Sequence, residues 1–260
     1  MKVLVFMPTF GTGPRPETLA SVEAQAFAGE WRHEVSWHNP HGKASTANVL
    51  AQYVRGRELT LDGDYDAILT IEHDMQIPAD ALQALWDTGA PVAYGVYVFR
   101  QGAGATLNAW ELLPNAKNPG ESLSLHPRKA DRARRQVIVP VSGVGFGCTL
   151  IRREVLERIP FRGGESGTEA PDVPFATDCL RAGVRQIAHF GVLCAHWNGA
   201  RWLYPFGSGC TVRVRALQDV TARIGHESRR LSVGQDYELP DDDAHELARA
   251  GYVCAVEVAV

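Results

Sequence analysis

Two carboxylates and an imidazole stand together near the middle of the chain, in the run Glu72-His73-Asp74. They directly follow Ala67 to Ile71, an apolar segment with the β-branched content of a buried strand. Acidic groups at the carboxyl end of such a strand stand where open α/β sheets bind their ligands. Carboxylates this close together suit a hard divalent cation that also holds a phosphate. The alternative is a charged turn that caps the next helix, and the triplet alone does not decide between the two.

Two glycine-rich segments could bring backbone amides close to a ligand. The first, Phe10 to Pro14, follows the apolar run Lys2 to Met7 and precedes a predicted helix from Glu17 to Ala26. A strand, a glycine turn and a helix in this order often bind phosphate, because bare amides and a helix N-terminus face the ligand. This turn matches neither the dinucleotide fingerprint nor the P-loop. The second segment, Ser142 to Gly147, has glycines at alternate positions, which indicates a tight turn or a close approach to a ligand.

The elements that would position these residues alternate between strands and helices in the first hundred residues. The pattern predicts strands over Lys2 to Met7, Glu34 to Trp37, Ala67 to Ile71 and Pro91 to Phe99, with helices over Glu17 to Ala26, Lys43 to Val54 and Ala79 to Trp86. This order predicts an α/β fold with a parallel, doubly wound sheet. Further on, strands are predicted over Val137 to Val141 and Val184 to Val192, with helices over Arg153 to Arg158 and Phe175 to Ala182.

The last fifty residues have a different pattern. Thr211 to Val214 alternates like a strand, Asp243 and Glu246 have the offset of a capping box, and a final strand is predicted over Tyr252 to Val258. We therefore expect a main domain over residues 1–205 and a small α+β module over residues 206–260. A module of this size is expected to dock on the main domain.

Composition excludes several classes of function. The 260 residues are 45% hydrophobic and 22% charged, which is ordinary for a soluble globular protein, and the net charge of −4 does not indicate nucleic acid or a membrane surface as a partner. No apolar run approaches the ~20 residues of a membrane span, and the run after Lys2 is too short for a secretory signal. The five cysteines are widely scattered without zinc-type spacing, so free thiols and a cytoplasmic location are expected.

Four blocks in order resemble the GT-A fold glycosyltransferases of the family 2 type, which transfer a sugar from a nucleotide-sugar. The blocks are VLVFMPTFGTGPRPETLASVEAQ, YDAILTIEHDMQIPADAL, VGFGCTLIRREVLERI and PDVPFATDCLRAGVRQIAHFGVLCAHW, and they cover most of residues 1–198. The resemblance implies a GT-A, Rossmann-like sheet that is mostly parallel and flanked by helices. The chain departs from the family pattern at three places. His38-Asn39-Pro40 stands where Asp-Asp or Asp-x-Ser is common, Thr46-Ala47-Asn48 stands where Arg-Asn is common, and Pro171 stands for a glutamate. The tail from Thr211 lies outside the resemblance.

The resemblance also implies roles for individual residues. Asp74 and His196, with Glu72, would hold Mn²⁺ or Mg²⁺ against the diphosphate of a nucleotide-sugar donor. Asp172 would be the general base that takes the proton of the acceptor hydroxyl, with inversion at the anomeric carbon. The implied contacts to the donor come from a wider set of residues: Pro8, Thr9, Gly11, Asn39, Lys43, Glu72, His73, Gly145 and Phe146.

Each of these residues also has a purely structural interpretation. His196 could be a strand-end histidine bonded to backbone, Asp172 could cap the helix at Pro174, and Lys43 could be a surface lysine. The aromatic residues Trp197, Trp202 and Tyr204 could stack on an acceptor sugar or bury the C-terminal module.

Two other function classes stay open at this point. One is a non-catalytic module that binds a nucleotide-sugar or glycan on the same fold, and the departure at Asn39 favours it. The other is a nucleotidyltransferase, whose first loop is usually rich in basic residues, whereas Arg15 is the only one here. The donor sugar, the nucleobase, the acceptor (a glycan, a protein or another hydroxyl compound) and the oligomeric state are not given by the sequence.

Overall fold

The computed structural model describes residues 1–9, 12–42, 47–98, 107–111, 123–124, 137–164, 170–205, 211–224, 227–240, 247 and 250–255. The predicted ligand contacts Gly11 and Lys43 lie outside these described residues. So does the predicted capping box of Asp243 and Glu246.

A seven-stranded sheet forms the centre of the main body. Its strands, in chain order, are β1 (Lys2–Pro8), β2 (Glu30–Ser36), β3 (Ala67–Ile71), β5 (Val92–Val96), β8 (Ile138–Pro140), β10 (Cys148–Arg152) and β11 (Gln186–Leu193). They lie side by side in the order β2-β1-β3-β10-β5-β11-β8. Every residue of β3 and β5 is buried, as expected for strands whose two faces are both covered.

Five of these strands run parallel, so the predicted α/β fold with a mostly parallel sheet flanked by helices is confirmed. β10 is antiparallel to both of its neighbours, β3 and β5, and β8 is antiparallel to β11. β10 and β8 are thus the two antiparallel strands of the predicted mostly parallel sheet. The apolar run Cys148 to Arg152 shows that a buried strand is present, but hydrophobicity carries no signal for its direction.

Five helices are described. They are α1 (Pro16–Glu23), α2 (Ala47–Asp62), α3 (Ala81–Asp87), α4 (Arg153–Arg158) and α5 (Asp172–Arg181). α2 continues two turns past its predicted end at Val54, because buried Gly56 and Thr60 keep its face on the sheet. A β-carbon on Gly56 would lie 2.8 Å from the ring of Phe6, so glycine permits this close packing. α5 begins at Asp172, three residues before its predicted start at Phe175. Pro174 lies in the first turn of the helix, where proline is tolerated.

Two small sheets stand at the carboxyl end of the parallel strands. In one, β12 (Ala195–Trp197) lies between β4 (Met75–Gln76) and β13 (Trp202–Leu203). In the other, β6 (Ala109–Glu111) lies between β7 (Leu123–Ser124) and β9 (Gly143–Val144). The sequence pattern did not predict these pairings, because strands of two or three residues carry no measurable periodicity.

The C-terminal part has its own hydrophobic cluster, which contains Val214, Leu231 and Leu239. Its strands are β14 (Thr211–Ala216), β15 (Val220–Ile224), β16 (Glu227–Leu231), β17 (Asp236–Pro240) and β18 (Val253–Ala255). They form a three-stranded sheet, β17-β14-β18, and a two-stranded sheet, β15-β16. Among the described helices, none is both long and apolar enough to cross a membrane.

Candidate metal centre

Glu72 and Asp74 lie at the point where the central strand β3 ends. The chain turns there, with the N–H of Met75 donating to the carbonyl of Glu72 at 3.1 Å, and then continues as β4. β12 pairs antiparallel with β4 and sets His196 opposite Met75. This pairing brings His196 next to Asp74, although the two residues are far apart in sequence.

The three side chains form one cluster of potential metal ligands. Within the described part of the chain, Glu72, Asp74 and His196 are the one group of three such residues, with ligand atoms all within 4.8 Å of one another. Nε2 of His196 lies 3.7 Å from Oδ2 of Asp74. Asp74 and His196 are 4% and 5% exposed. A carboxylate and an imidazole held this close in a buried site can bind the same cation.

The orientation of the His196 ring is fixed by a backbone carbonyl. Nδ1 of His196 lies 2.8 Å from the carbonyl oxygen of Val98, which can only accept a hydrogen bond, so Nδ1 carries the hydrogen. In the neutral ring, the lone pair is then on Nε2, the atom that faces Asp74. Metal-binding histidines are usually oriented by a hydrogen bond of this kind. The ring of Tyr97 packs edge-on against the imidazole, 5.4 Å between centroids.

This donor set fits a divalent cation. Two carboxylates suit Mg²⁺ or Mn²⁺, and the imidazole favours Mn²⁺, because Mg²⁺ prefers oxygen ligands. The interpretation of Glu72 to Asp74 as a simple helix-capping turn does not fit, since α3 begins only at Ala81.

Asp172 is the first residue of α5 and not its cap. Pro171 occupies the N-cap position, and Oδ1 of Asp172 accepts the N–H of Val173 at 2.9 Å. Burial raises the pKa of the Asp172 carboxyl above its ordinary 3.8, and hydrogen bonds from the backbone oppose this shift only in part. A carboxylate with a raised pKa is a better proton acceptor near neutral pH.

The glycine loop between β9 and β10 is held tightly at the end of β3. Thr70 Oγ1 donates to the carbonyl of Phe146 at 2.9 Å, and the N–H of Glu72 donates to the carbonyl of Gly147 at 3.3 Å. The ring of Phe146 is 2% exposed and contacts Tyr53, Phe161 and Phe175. A ligand in this region would therefore meet the backbone of the loop and not the Phe146 ring.

The predicted nucleoside contacts Thr9 and Asn39 hydrogen-bond mainly to Ser36 and Gln52. Pro8 ends β1, and Thr9 is fully buried with its hydroxyl donating to the carbonyl of Ser36 at 2.6 Å. The Asn39 amide oxygen accepts from Gln52 Nε2 at 3.0 Å, and Gln52 also bonds the backbone of Thr9. These bonds tie the ends of β1 and β2 to α2.

A recess of about 500 Å³ opens beside Asp74. Its walls include Arg15, His73, Trp197 and Asn198. The guanidinium of Arg15 stacks on Trp197 at 3.8 Å from the ring centroid, and Trp202 lies 5.5 Å from Trp197. The backbone carbonyl of His73 holds this wall by accepting the N–H of Arg15 at 2.9 Å.

Three polar residues beside these groups did not stand out in the sequence: Tyr53, Tyr97 and Asn108. Tyr97 Oη accepts the N–H of Gly147 at 3.2 Å, while Tyr53 contacts Phe146. Tyr53 and Tyr97 lie on predicted elements and look like ordinary core residues. Asn108 lies in a stretch without periodicity, so no pattern distinguishes it.

The chain is similar to known proteins in fold but not in sequence. No protein-family model matches the chain, and no curated protein is significantly similar to it. Among solved structures, A197 from STIV has 20% sequence identity and a TM-score of 0.50, over 79% of this chain and 91% of that one. At this identity the likeness shows the fold alone.

Two more distant structures have lower TM-scores. TarS 1–349 from S. aureus, solved in complex with UDP, has 13% identity and a TM-score of 0.43, over 78% of this chain and 60% of that one. CMP:2-keto-3-deoxy-manno-octonic acid synthetase, complexed with CTP, has 17% identity and a TM-score of 0.39, over 72% of this chain and 89% of that one.

Proposed function

We propose that the protein is a metal-dependent, inverting glycosyltransferase that moves a sugar from a nucleotide diphosphate sugar to an acceptor hydroxyl. The observation that carries this proposal is the convergence of Glu72, Asp74 and His196 within 4.8 Å at the carboxyl end of the parallel strands. Open α/β sheets bind their ligands at this edge.

Glu72, Asp74 and His196 would hold Mn²⁺ or Mg²⁺, with Mn²⁺ favoured by the imidazole ligand. A bound dication supplies positive charge that stabilises the negative charge developing on the leaving diphosphate. The contribution of the protein is to orient the ligands, through the bond from His196 Nδ1 to Val98 and the pairing of β12 with β4.

Asp172 would act as the general base. Its carboxylate takes the proton of the acceptor hydroxyl while the acceptor oxygen forms a bond to the anomeric carbon. The bond from that carbon to the diphosphate oxygen breaks, and the nucleoside diphosphate leaves with the electron pair. One base and in-line attack invert the configuration, through a transition state with oxocarbenium character, as in glycoside hydrolysis. The raised pKa of Asp172 suits this role.

A second candidate is a non-catalytic module that binds a nucleotide-sugar or glycan. The hydrogen bonds of Asn39 favour it, because this amide is directed at Gln52, Thr9 and Trp37 and stands where the family has a carboxylate. The two candidates share the metal centre and differ in whether the donor is consumed.

The test is the release of nucleoside diphosphate from a panel of UDP- and GDP-sugars, with Mn²⁺ or with EDTA. We expect metal-dependent release that Asp74→Asn abolishes and that the exposed control Asp87→Asn retains. Turnover that needs no metal and survives Asp74→Ala would refute the proposal. Tight binding of a donor without any product would select the binding module. Pyrophosphate release from a nucleoside triphosphate and a sugar phosphate would select a nucleotidyltransferase.

A further inference from the structure

Two polar side-chain atoms are buried in the core beside the glycine loop. Among the described residues, neither Oη of Tyr53 nor Oδ1 of Asn108 has a hydrogen-bond partner. Tyr53 is 2% exposed and Asn108 is 7% exposed. Buried polar atoms in proteins are nearly always paired, and an unpaired one lowers stability. Two such atoms in one region are therefore candidates for hydrogen bonds to a bound ligand.

Asn108 faces the loop and the candidate base. A β-carbon built on Gly145 would contact Tyr97 Oη and stand 2.6 Å from Asn108 Nδ2 and 3.3 Å from Asp172 Oδ2. The amide, the phenol and the carboxylate thus converge on one point of the glycine loop. The convergence makes this a buried polar cluster next to the group that would deprotonate an acceptor.

Tyr53 approaches the same region from α2. Its ring lies 5.0 Å from Phe146 and 6.0 Å from Phe161. Burial, and then the negative charges of Glu72, Asp172 and Asp74, raise the pKa of Tyr53 well above its ordinary value. The hydroxyl therefore stays protonated as a hydrogen-bond donor, in the field of both the metal ligands and the base.

The Tyr53 ring and the Asn108 backbone are held in place before any ligand binds. The ring of Tyr53 packs within the aromatic cluster around Phe146, and the backbone N–H of Asn108 donates to the carbonyl of Tyr97 at 2.8 Å. Groups that are already oriented bind a ligand with little loss of conformational entropy.

We propose that the Tyr53 hydroxyl and the Asn108 amide bind the hydroxyl groups of the transferred sugar. Asn108 Oδ1 accepts from a sugar hydroxyl, and Tyr53 Oη donates to a sugar oxygen, so the fitting donors carry unmodified hydroxyls on the face next to Gly145. This inference rests on the proposed function and assigns the part of the site that recognises the sugar, separate from the part that holds the diphosphate.

The test compares nucleotide and nucleotide-sugar binding in three variants. Calorimetry with Mn²⁺ gives the affinities of UDP, UDP-glucose, GDP and GDP-mannose for the wild type, Tyr53→Phe, Asn108→Ala and the control Tyr94→Phe. Tyr94 is also a fully buried tyrosine, but its hydroxyl donates to Gln186 at 2.5 Å. Tyr94→Phe therefore breaks a protein hydrogen bond, whereas Tyr53→Phe breaks none among the described residues.

We expect Tyr53→Phe and Asn108→Ala each to weaken nucleotide-sugar binding about three- to tenfold, the range of a neutral hydrogen bond, with nucleoside diphosphate binding within twofold of wild type. Tyr53→Phe should keep or raise the melting temperature, and Tyr94→Phe should lower it without changing the preference between nucleotide and nucleotide-sugar. Equal losses for both ligand types, or unchanged nucleotide-sugar binding, would overturn the sugar subsite while leaving the metal site in place. A wild type that binds none of the four nucleotides would instead refute the proposed function.

Discussion

Gly145 lies directly against Asp172: a β-carbon on Gly145 would stand 3.3 Å from Asp172 Oδ2 and would also contact Tyr97 and Asn108. The carbonyl of Gly145 accepts the hydroxyl of Thr149 at 3.1 Å, so the loop cannot easily move aside. The candidate base and the proposed sugar subsite thus depend on the absence of one side chain.

Gly145→Ala should therefore displace Asp172, Tyr97 or Asn108. Because a misplacement of about 1 Å can cost about 100-fold in rate, we expect turnover of the accepted nucleotide-sugar to fall by that order. Gly56→Ala is the matched control, since its β-carbon would meet the Phe6 ring at 2.8 Å, away from the site. This control should lower the melting temperature but keep the turnover per folded molecule. Wild-type turnover in Gly145→Ala would count against the placement of Asp172 in the active site.

His196→Ala should weaken Mn²⁺ binding, because it removes the one nitrogen ligand of the cluster. Mutation of a residue that only hydrogen-bonds to a metal ligand typically lowers the metal affinity roughly 10- to 100-fold. Removal of a direct ligand should therefore lower the Mn²⁺ affinity at least tenfold. Calorimetric titration of the metal-free protein with Mn²⁺ measures it. His189→Ala serves as the control, since His189 lies on β11 and its Nδ1 accepts the N–H of Gly191. Equal Mn²⁺ affinity in both variants would exclude His196 as a ligand.

Asp172→Asn should reduce turnover by roughly 10²- to 10⁴-fold, the usual contribution of a general base, while donor binding stays close to wild type. Initial rates and calorimetry separate the two effects. Asp178→Asn is a control on the same helix; it breaks the bidentate pair with Arg162, at 2.7 and 2.9 Å, and should cost at most about 1 kcal/mol of stability. Loss of donor binding in Asp172→Asn would argue against the base assignment.

Much of the fold was predictable because its strands are short apolar runs with sharp ends. Ala67 to Ile71 is observed with the predicted bounds, and the acidic triplet after it marks the end of the sheet where the candidate metal ligands lie. Helix boundaries were less predictable: α2 passes Val54 because small buried residues, and not a continuous apolar stripe, hold it against the sheet.

The meeting of Asp74 and His196 could be expected from the family resemblance but not from the pattern of residues. It depends on the pairing of β4 with β12, and segments this short have no periodic signal. Tyr53 and Asn108 were missed for a related reason. A buried tyrosine looks like any core aromatic in a sequence, and only three-dimensional packing shows that its hydroxyl has been left without a partner in the described structure.

The difference in free energy of unfolding between Asp172→Asn and the wild type should depend on pH. Burial of the Asp172 carboxyl determines the direction of this dependence. A carboxyl whose pKa is raised in the folded state contributes stability below the unfolded value, near 3.8, and this contribution is lost as pH rises through the folded pKa. At neutral pH the buried negative charge of Asp172 therefore destabilises the wild type, whereas the neutral asparagine of the variant has no such effect. We expect Asp172→Asn to be more stable than wild type at pH 7 and to lose this advantage as the pH falls toward 4.

Denaturant unfolding in EDTA between pH 4 and 8 measures this difference without interference from a bound cation. Asp178→Asn should behave differently, because Arg162 lowers the pKa of Asp178. The stabilising contribution of Asp178 is complete above about pH 3.8 and is lost only as pH falls further, so this variant should show a nearly constant deficit from pH 5 to 8. An Asp172→Asn advantage that stays constant, or grows toward acid, would show that the Asp172 pKa is not raised, and would remove the electrostatic support for its role as a base.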